Sequence, residues 1–181
     1  MQEIEALAAG LKSYVTWHNT ETLQECREAC GGKGFLSENR IDALKNDSDV
    51  YTTFEGDNTV LLQLVAKSRL SAYKEQFENM NLCTIIDYVV AKAKTSLTEK
   101  NLIITRNKGE AHLLDSEFHM NAFYYRENSI LNSAANRLKR LMSEGMDPFD
   151  AVNVAQHHLY TLSLAFIERV VLEKFIEKIE Q

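Results

Sequence analysis

The sequence predicts an all-α protein, an antiparallel helical bundle, and three observations carry that expectation. A single proline and seven glycines leave few breakers in 181 residues, and strong helix formers (alanine, leucine, glutamate, lysine) fill the long segments. Apolar residues recur at spacings of three and four, with no alternating apolar and polar run to compete. The joints between these stretches are short and polar, and short turns between long helices force antiparallel neighbours.

The first stretch, about Ile4 to Trp17, groups Ala6, Leu7, Leu11, Tyr14 and Val15 on one side. Asn19 or Thr20 is placed to cap a second helix, about Glu21 to Cys30, in which Thr22 and Glu25 have capping-box spacing. Gly31 follows as a left-handed C-terminal cap. The polar stretch through Ser37, Asn39 and Asp42 to Asp49 reads as a short helix and a loop. A strong helix then runs from near Asp57 to about Phe77, with Val60, Leu61, Leu64, Val65, Ser68 and Ala72 as its apolar stripe.

Asn79 and Asn81 mark a joint that divides the chain into residues 1–80 and 81–181. Leu82 to Leu97 repeats the helical pattern through Ile85, Ile86, Val89, Val90 and Ala93, and Asn107-Lys108-Gly109 is the next break. A helix over about Ala111 to Ser143 is expected to turn Leu114, Phe118, Ala122, Tyr125, Leu131, Ala135, Leu138 and Leu141 inward before Gly145 stops it. Asp147 caps the last helix, with Pro148 at its first position and Asp150 in its first turn. That helix runs to about Ile179, roughly 50 Å at about 1.5 Å per residue.

A hydrophobic content of 45% supplies a real core. The net charge of −6, with no lysine and arginine stripe, removes the electrostatic footprint of a nucleic-acid binder. The three cysteines are an odd, sparse set, read as reduced thiols, and Cys26 and Cys30 share a helix face as small core residues. No further ligands stand at a metal-site spacing: Asp115, His119 and His112 lack the paired Glu-x-x-His pattern of di-iron bundles. Glu3 and Glu5 occupy the place of a signal peptide's basic region, and no apolar run approaches the roughly 20 residues that cross a bilayer. Ile179-Glu180-Gln181 is not a peroxisomal tripeptide. A bacterial cytoplasm is therefore the expected location, with a peroxisome the alternative for a eukaryotic source.

Functional chemistry concentrates in Thr52-Thr53-Phe54-Glu55-Gly56-Asp57-Asn58-Thr59-Val60-Leu61. One carboxylate, between an aromatic ring and a glycine, stands at the mouth of an apolar helix. The helix start favours its charged form, and an apolar ligand that excludes water would strengthen it as a base. Gly56 permits a close turn that a side chain would block. Read without further context, Glu-Gly-Asp-Asn ahead of an apolar helix is also an ordinary N-terminal boundary. Upstream, Cys30-Gly31-Gly32-Lys33-Gly34-Phe35 reads as a helix cap followed by a flexible loop.

Together the two stretches resemble the flavin-dependent acyl-CoA oxidase and dehydrogenase family, more closely its oxidase branch. The resemblance implies that Glu55 is the catalytic base, removing a proton from carbon 2 of a fatty acyl thioester while FAD takes the hydride from carbon 3. It also implies that the main-chain N–H of Glu55 holds the thioester carbonyl, as an oxyanion hole does. Phe54 and Gly56 would contact substrate, and Asp57, Asn58 and Thr59 would approach the adenosine side of FAD. Gly31, Gly32 and Gly34 would meet the flavin's diphosphate region, commonly from the neighbouring subunit of a homodimer. Glu28, where many dehydrogenases carry a glutamine, is assigned no cofactor contact. The electron acceptor, molecular oxygen or an electron-transfer flavoprotein, stays open.

The specific motifs lie within residues 1–80, and beyond them the likeness is a helical pattern compatible with the extra helical domain of acyl-CoA oxidases. The family's N-terminal helical domain and central β-domain have no counterpart here. The expectation is thus a C-terminal portion of a longer enzyme, with little or no activity alone. A non-catalytic helical module for interaction or dimerisation is the alternative.

Overall fold

The computed structural model describes residues 2–78, 110–179 and 181. Among the described residues six α-helices carry the fold: α1 (Gln2–Ala29), α2 (Ile41–Asp49), α3 (Asn58–Glu78), α4 (Glu110–Leu113), α5 (Ser116–Ser143) and α6 (Pro148–Ile179). Short 3-10 turns at Gly31–Phe35, Ser37–Asn39 and Val50–Thr52 link the first three. No strand occurs among the described residues, as the periodicity predicts. The expected joint at Asn79 and Asn81, the helix over Leu82 to Leu97 and the break at Asn107-Lys108-Gly109 lie outside the described residues.

α1, α3 and α6 meet around Ala9, Leu62, Val65, Phe166 and Ile167, with Leu7, Tyr14, Trp17, Leu164 and Val170 packed on that centre. A second cluster joins α3, α5 and α6 through Ala66, Ala134 and Leu159. Both halves of the sequence thus contribute to one interior. Gly10 brings α1 against α6, since a Cβ there would lie 2.2 Å from Ile167 Cδ1. The buried Ser163 hydroxyl on α6 donates to the Leu62 carbonyl of α3 at 2.6 Å.

The expected break at Asn19 and Thr20 is absent, and α1 runs through it. Thr20 and Thr22 donate back to the carbonyls of Thr16 and His18, one turn earlier, instead of capping a new helix. Leu11 and Val15 face outward, and Ala6, Ala9, Gly10 and Ser13 form the buried line. Cys26 and Cys30 are exposed, not core, because α1 has left the α3 and α6 contact by then.

α3 begins as predicted, with its inner face turned from the expected one. Leu62, Val65 and Ala66 are buried, whereas Val60 and Leu64 are exposed. Val60, Leu61, Leu62, Leu64, Val65 and Ala66 spread round the first turns of α3, so polar anchors, the buried Asn58 and the Ser163 bond to Leu62, set its rotation.

The helix expected over Ala111 to Ser143 is interrupted. Asp115 leaves helical geometry (ψ 122°) and caps α5 by accepting the Glu117 N–H at 3.1 Å. Leu131 and Leu141 are buried, while Leu114 (71% exposed), Ala122 and Tyr125 are not. In their place the first half of α5 buries Glu127, which is 2% exposed. It accepts from Arg69 on α3 at 2.7 Å and from Arg169 on α6, so an ionic contact replaces the expected apolar one.

The α5–α6 joint follows its sequence signals closely. Gly145 (φ +91°) donates to Met142 O and Met146 N–H to Leu141 O, both at 3.1 Å, a Schellman close. Asp147 then accepts the Phe149 N–H at 2.9 Å, and Pro148 opens α6.

Candidate functional site

The Glu55 turn is assembled from both sides. The Val50 carbonyl accepts the N–H groups of Thr53 and Phe54, at 3.2 and 2.9 Å, which closes the preceding 3-10 turn. Glu55 then adopts φ +60° and Gly56 φ +104°, two successive left-handed residues. For glutamate that conformation costs of order 1–3 kcal/mol, so the surroundings must enforce it. At Gly56 only glycine fits without strain, and an added Cβ would lie 3.2 Å from Leu61. Asp57 caps α3, its carboxylate accepting the N–H groups of Thr59 at 2.9 Å and Val60 at 3.3 Å. Two of the N–H groups expected to face Glu55 are therefore already occupied.

α1 enforces the turn. Lys12 donates from Nζ to the Gly56 carbonyl at 2.7 Å and to Asn58 Oδ1 at 2.8 Å. Asn58 Nδ2 donates to Thr16 Oγ1 at 2.8 Å and to the Ser13 carbonyl at 3.4 Å, and the Ser13 hydroxyl donates to the Asn58 carbonyl at 3.2 Å. Asn58 is 1% exposed. Its side chain was expected near FAD, but it is spent on α1, and its position is that of an anchor. Lys12, Ser13 and Thr16 were missed by sequence reasoning. Their only signal is a polar line at positions 12, 13 and 16 beside the buried Ala9.

Glu55 and Phe54 are exposed, Phe54 by 63%. The Val50 carbonyl holds the main chain before Glu55, the Lys12 clamp holds it after, and Glu55 itself is exposed between them. Thr59 is exposed one residue into α3. The turn therefore presents a carboxylate, an aromatic ring and the backbone between them on one rigid platform.

The glycine-rich turn is held separately. Gly31 has φ +56°, and open space surrounds the Cβ positions of Gly31 and Gly32. Gly34 is required by packing: its Cβ would lie 2.3 Å from the Arg27 carbonyl of α1. Asn39 Nδ2 ties the turn by donating to the Lys33 carbonyl at 2.8 Å, and the Arg27 guanidinium sits 4.5 Å over the Phe35 ring. Glu28 pairs with Arg27 at 3.4 Å. This turn leaves the end of α1, whereas the Glu55 turn grips it near Lys12 to Thr16, about 20 Å away by helical rise. Within this chain the two motifs do not converge.

Three further groups of interest have plain roles. Asp115 is a cap, the His119 ring lies 2.6 Å from the Leu113 carbonyl, and the His112 ring packs on Phe118 at 4.3 Å. Among the described residues no three His, Cys, Asp or Glu side chains gather as a metal site, and no helix is long and apolar enough to cross a membrane.

The described residues thus form a bundle of long helices with a clamped, exposed glutamate just before one of them. Residues 1–70 match the family described as acyl-CoA oxidase, C-alpha1 domain, and residues 115–181 match acyl-CoA oxidase. The chain belongs to the acyl-CoA oxidase family and corresponds to its C-terminal helical region.

It is 44% identical over 178 residues to acyl-coenzyme A oxidase 2, peroxisomal, of Arabidopsis thaliana, covering 98% of this chain and 26% of that protein. It is 38% identical over 181 residues to acyl-coenzyme A oxidase-like protein of Mus musculus, covering 99% of this chain and 28% of that one. The crystal structure of acyl-CoA oxidase-2 from Caenorhabditis elegans, bound with FAD, ascaroside-CoA and ATP, superposes with a TM-score of 0.78 at 19% identity. That match covers 100% of this chain and 25% of the nematode protein, and it bears on the fold alone. The chain thus spans about a quarter of the length of the relatives it matches. A bacterial cytoplasmic location is overturned, because these relatives are eukaryotic and the Arabidopsis oxidase is peroxisomal.

Proposed function

We propose that this chain supplies the catalytic base and part of the framework of an FAD-dependent acyl-CoA oxidase that makes trans-2-enoyl-CoA from fatty acyl-CoA in a peroxisome. The observation that carries this reading is the clamped turn: Glu55, at φ +60°, lies within the stretch that matches the oxidase C-alpha1 domain. Glu55 takes the proton from carbon 2, and its main-chain N–H stabilises the charge that develops on the thioester oxygen. Lys12 and Asn58 hold the backbone that follows Glu55, so the residue's main chain needs little reorganisation at the moment of transfer. Phe54 offers an apolar surface that keeps water from the reacting carbons.

FAD, when bound, supplies the hydride acceptor for carbon 3. The residues present fit the flavin in part. Gly31 and Gly32 leave their backbone open to a diphosphate, and Thr59 remains available to the adenosine side. Gly34 and the Asn58 side chain are committed to α1, and Asp57 to capping α3. Because the glycine turn and Glu55 are far apart along α1, this reading places them in two different sites of a homodimer.

The test is a chimaera in which this chain replaces the corresponding quarter of the Arabidopsis oxidase. The chimaera should release hydrogen peroxide from an acyl-CoA, and Glu55→Gln should lower kcat by several orders of magnitude with the flavin spectrum unchanged. Wild-type turnover by that variant would sink the proposal.

A further inference from the structure

The two side chains that clamp the Glu55 turn differ in what they hold. Asn58 is 1% exposed; its amide donates to Thr16 and Ser13 of α1, and its carbonyl accepts from Ser13. It fastens the start of α3 to α1. Lys12 is half-buried and reaches beyond that start to the turn itself. Its ammonium donates to the Gly56 carbonyl at 2.7 Å and to Asn58 Oδ1 at 2.8 Å, so one charged group ties both the turn and α3 to α1.

The carbonyl that Lys12 grips belongs to the residue directly after Glu55. Glu55 and Gly56 have positive φ, +60° and +104°, and for a glutamate that region is strained. A charged donor on the Gly56 carbonyl opposes relaxation of the pair, and charge-assisted bonds are stronger than neutral ones. Gly56 is exposed, so water can replace Lys12 as a hydrogen-bond partner. Water satisfies the carbonyl but fixes no direction for it. Loss of Lys12 therefore frees the backbone at Glu55 while the helix packing, centred on Ala9, Leu62, Val65, Phe166 and Ile167, stays in place.

We propose that Lys12 is a positioning residue for proton removal, acting through the Gly56 carbonyl to keep Glu55 in the left-handed conformation from which it reaches carbon 2. This rests on the reading of Glu55 as the base. Lysine suits the task because its ammonium carries three donors on a long stem, enough for both acceptors. Turns that leave this conformation still admit the substrate but do not react, so the effect falls on kcat and little on KM. Asn58 has the other role: its loss acts first on stability.

The chimaera with the Arabidopsis oxidase tests this through Lys12→Met, Lys12→Arg and Glu55→Gln, with Glu127→Gln as a control for lost stability alone. Lys12→Met should lower kcat by about tenfold to a hundredfold, the scale of a small misplacement of a reacting group. KM should stay within about threefold of wild type. The isotope effect with substrate deuterated at carbon 2 should rise, because proton removal slows relative to every other step. Lys12→Arg keeps a charged donor and should recover most of the rate. Glu127→Gln should leave kcat and the isotope effect unchanged. The flavin spectrum and helical circular dichroism check assembly, and if Lys12→Met fails to assemble, Lys12→Gln is read in its place. Wild-type kcat in the lysine variant beside an inactive Glu55→Gln overturns the role of Lys12 and leaves the base assignment standing. A rate loss that Glu127→Gln reproduces, with the isotope effect unmoved, is structural and also overturns that role. Full turnover by Glu55→Gln removes the base assignment and this proposal with it.

Discussion

Replacing Glu127 should destabilise the bundle more than any comparable change at its surface. The carboxylate is 2% exposed and is shared by Arg69, at 2.7 Å, and Arg169, which is itself 8% exposed. Burial opposes the charge on Arg169, but the hydrogen bond and charge of Glu127, with Tyr124 and Glu173, outweigh it and raise its pKa. Removing the acid strands a buried cation, a loss that runs to about 3–5 kcal/mol for a buried pair. Two features reduce it. Arg69 keeps 28% of its side chain exposed, and Arg169 retains Glu173 at 2.8 Å. Glu127→Ala should therefore cost about 3 kcal/mol, the lower end of that range, against a total of about 5–15 for a domain. At roughly 2–4 °C per kcal/mol, Tm should fall by about 10 °C. Glu127→Gln keeps the volume and removes only the charge, so a similar loss in that variant assigns the effect to electrostatics. Urea denaturation followed by circular dichroism and by Trp17 fluorescence gives both values. A change within about 0.5 kcal/mol for both variants would refute the ionic account of how α5 is held.

The clamp makes its own prediction: Asn58→Ala should cost about 2 kcal/mol in urea denaturation, because Lys12 and Thr16 lose buried partners. Gly34→Ala should destabilise by about 1–3 kcal/mol, since its Cβ would meet the Arg27 backbone, while Gly32→Ala, with open space, should be close to neutral. Below pH 6.5 stability should decline, because His158 is protonated at 6.5 when unfolded and only at lower pH when folded. His158→Gln should flatten that part of the pH–stability curve. Finally, the isolated chain with added FAD should show no robust turnover of an acyl-CoA, as measured by peroxide release.

What could be read beforehand were features signalled by neighbours in sequence. Asp147, Pro148 and Gly145 announce the α5–α6 joint because caps act within one turn, and the start of α3 is legible for the same reason. Features decided by distant partners were not. Asn58 and Glu127 look like surface residues to any periodic reading, yet each is buried by side chains more than 40 positions away. The inner face of α3 failed similarly, since apolar residues spread round its first turns give no preferred phase until Ser163 and Asn58 fix one. Thr20 carries the chemistry of a cap, but its bond back to Thr16 serves equally well within a helix. The Glu55 motif was legible as a motif, whereas the lysine that grips it was not.

The sharing of one interior by α1, α3 and α6 has a consequence for synthesis. α5 and α6 are joined by a tight hairpin and can pair as soon as both have left the ribosome, because their contacts are local. α1 and α3 emerge first, yet Phe166 and Ile167, which complete their packing, are translated about a hundred residues after Leu62. The apolar sides of these helices must wait, open to chaperones and to premature association, until the last stretch arrives. Growth conditions that slow elongation between α3 and α6 should lower the soluble yield more than equal slowing within α1.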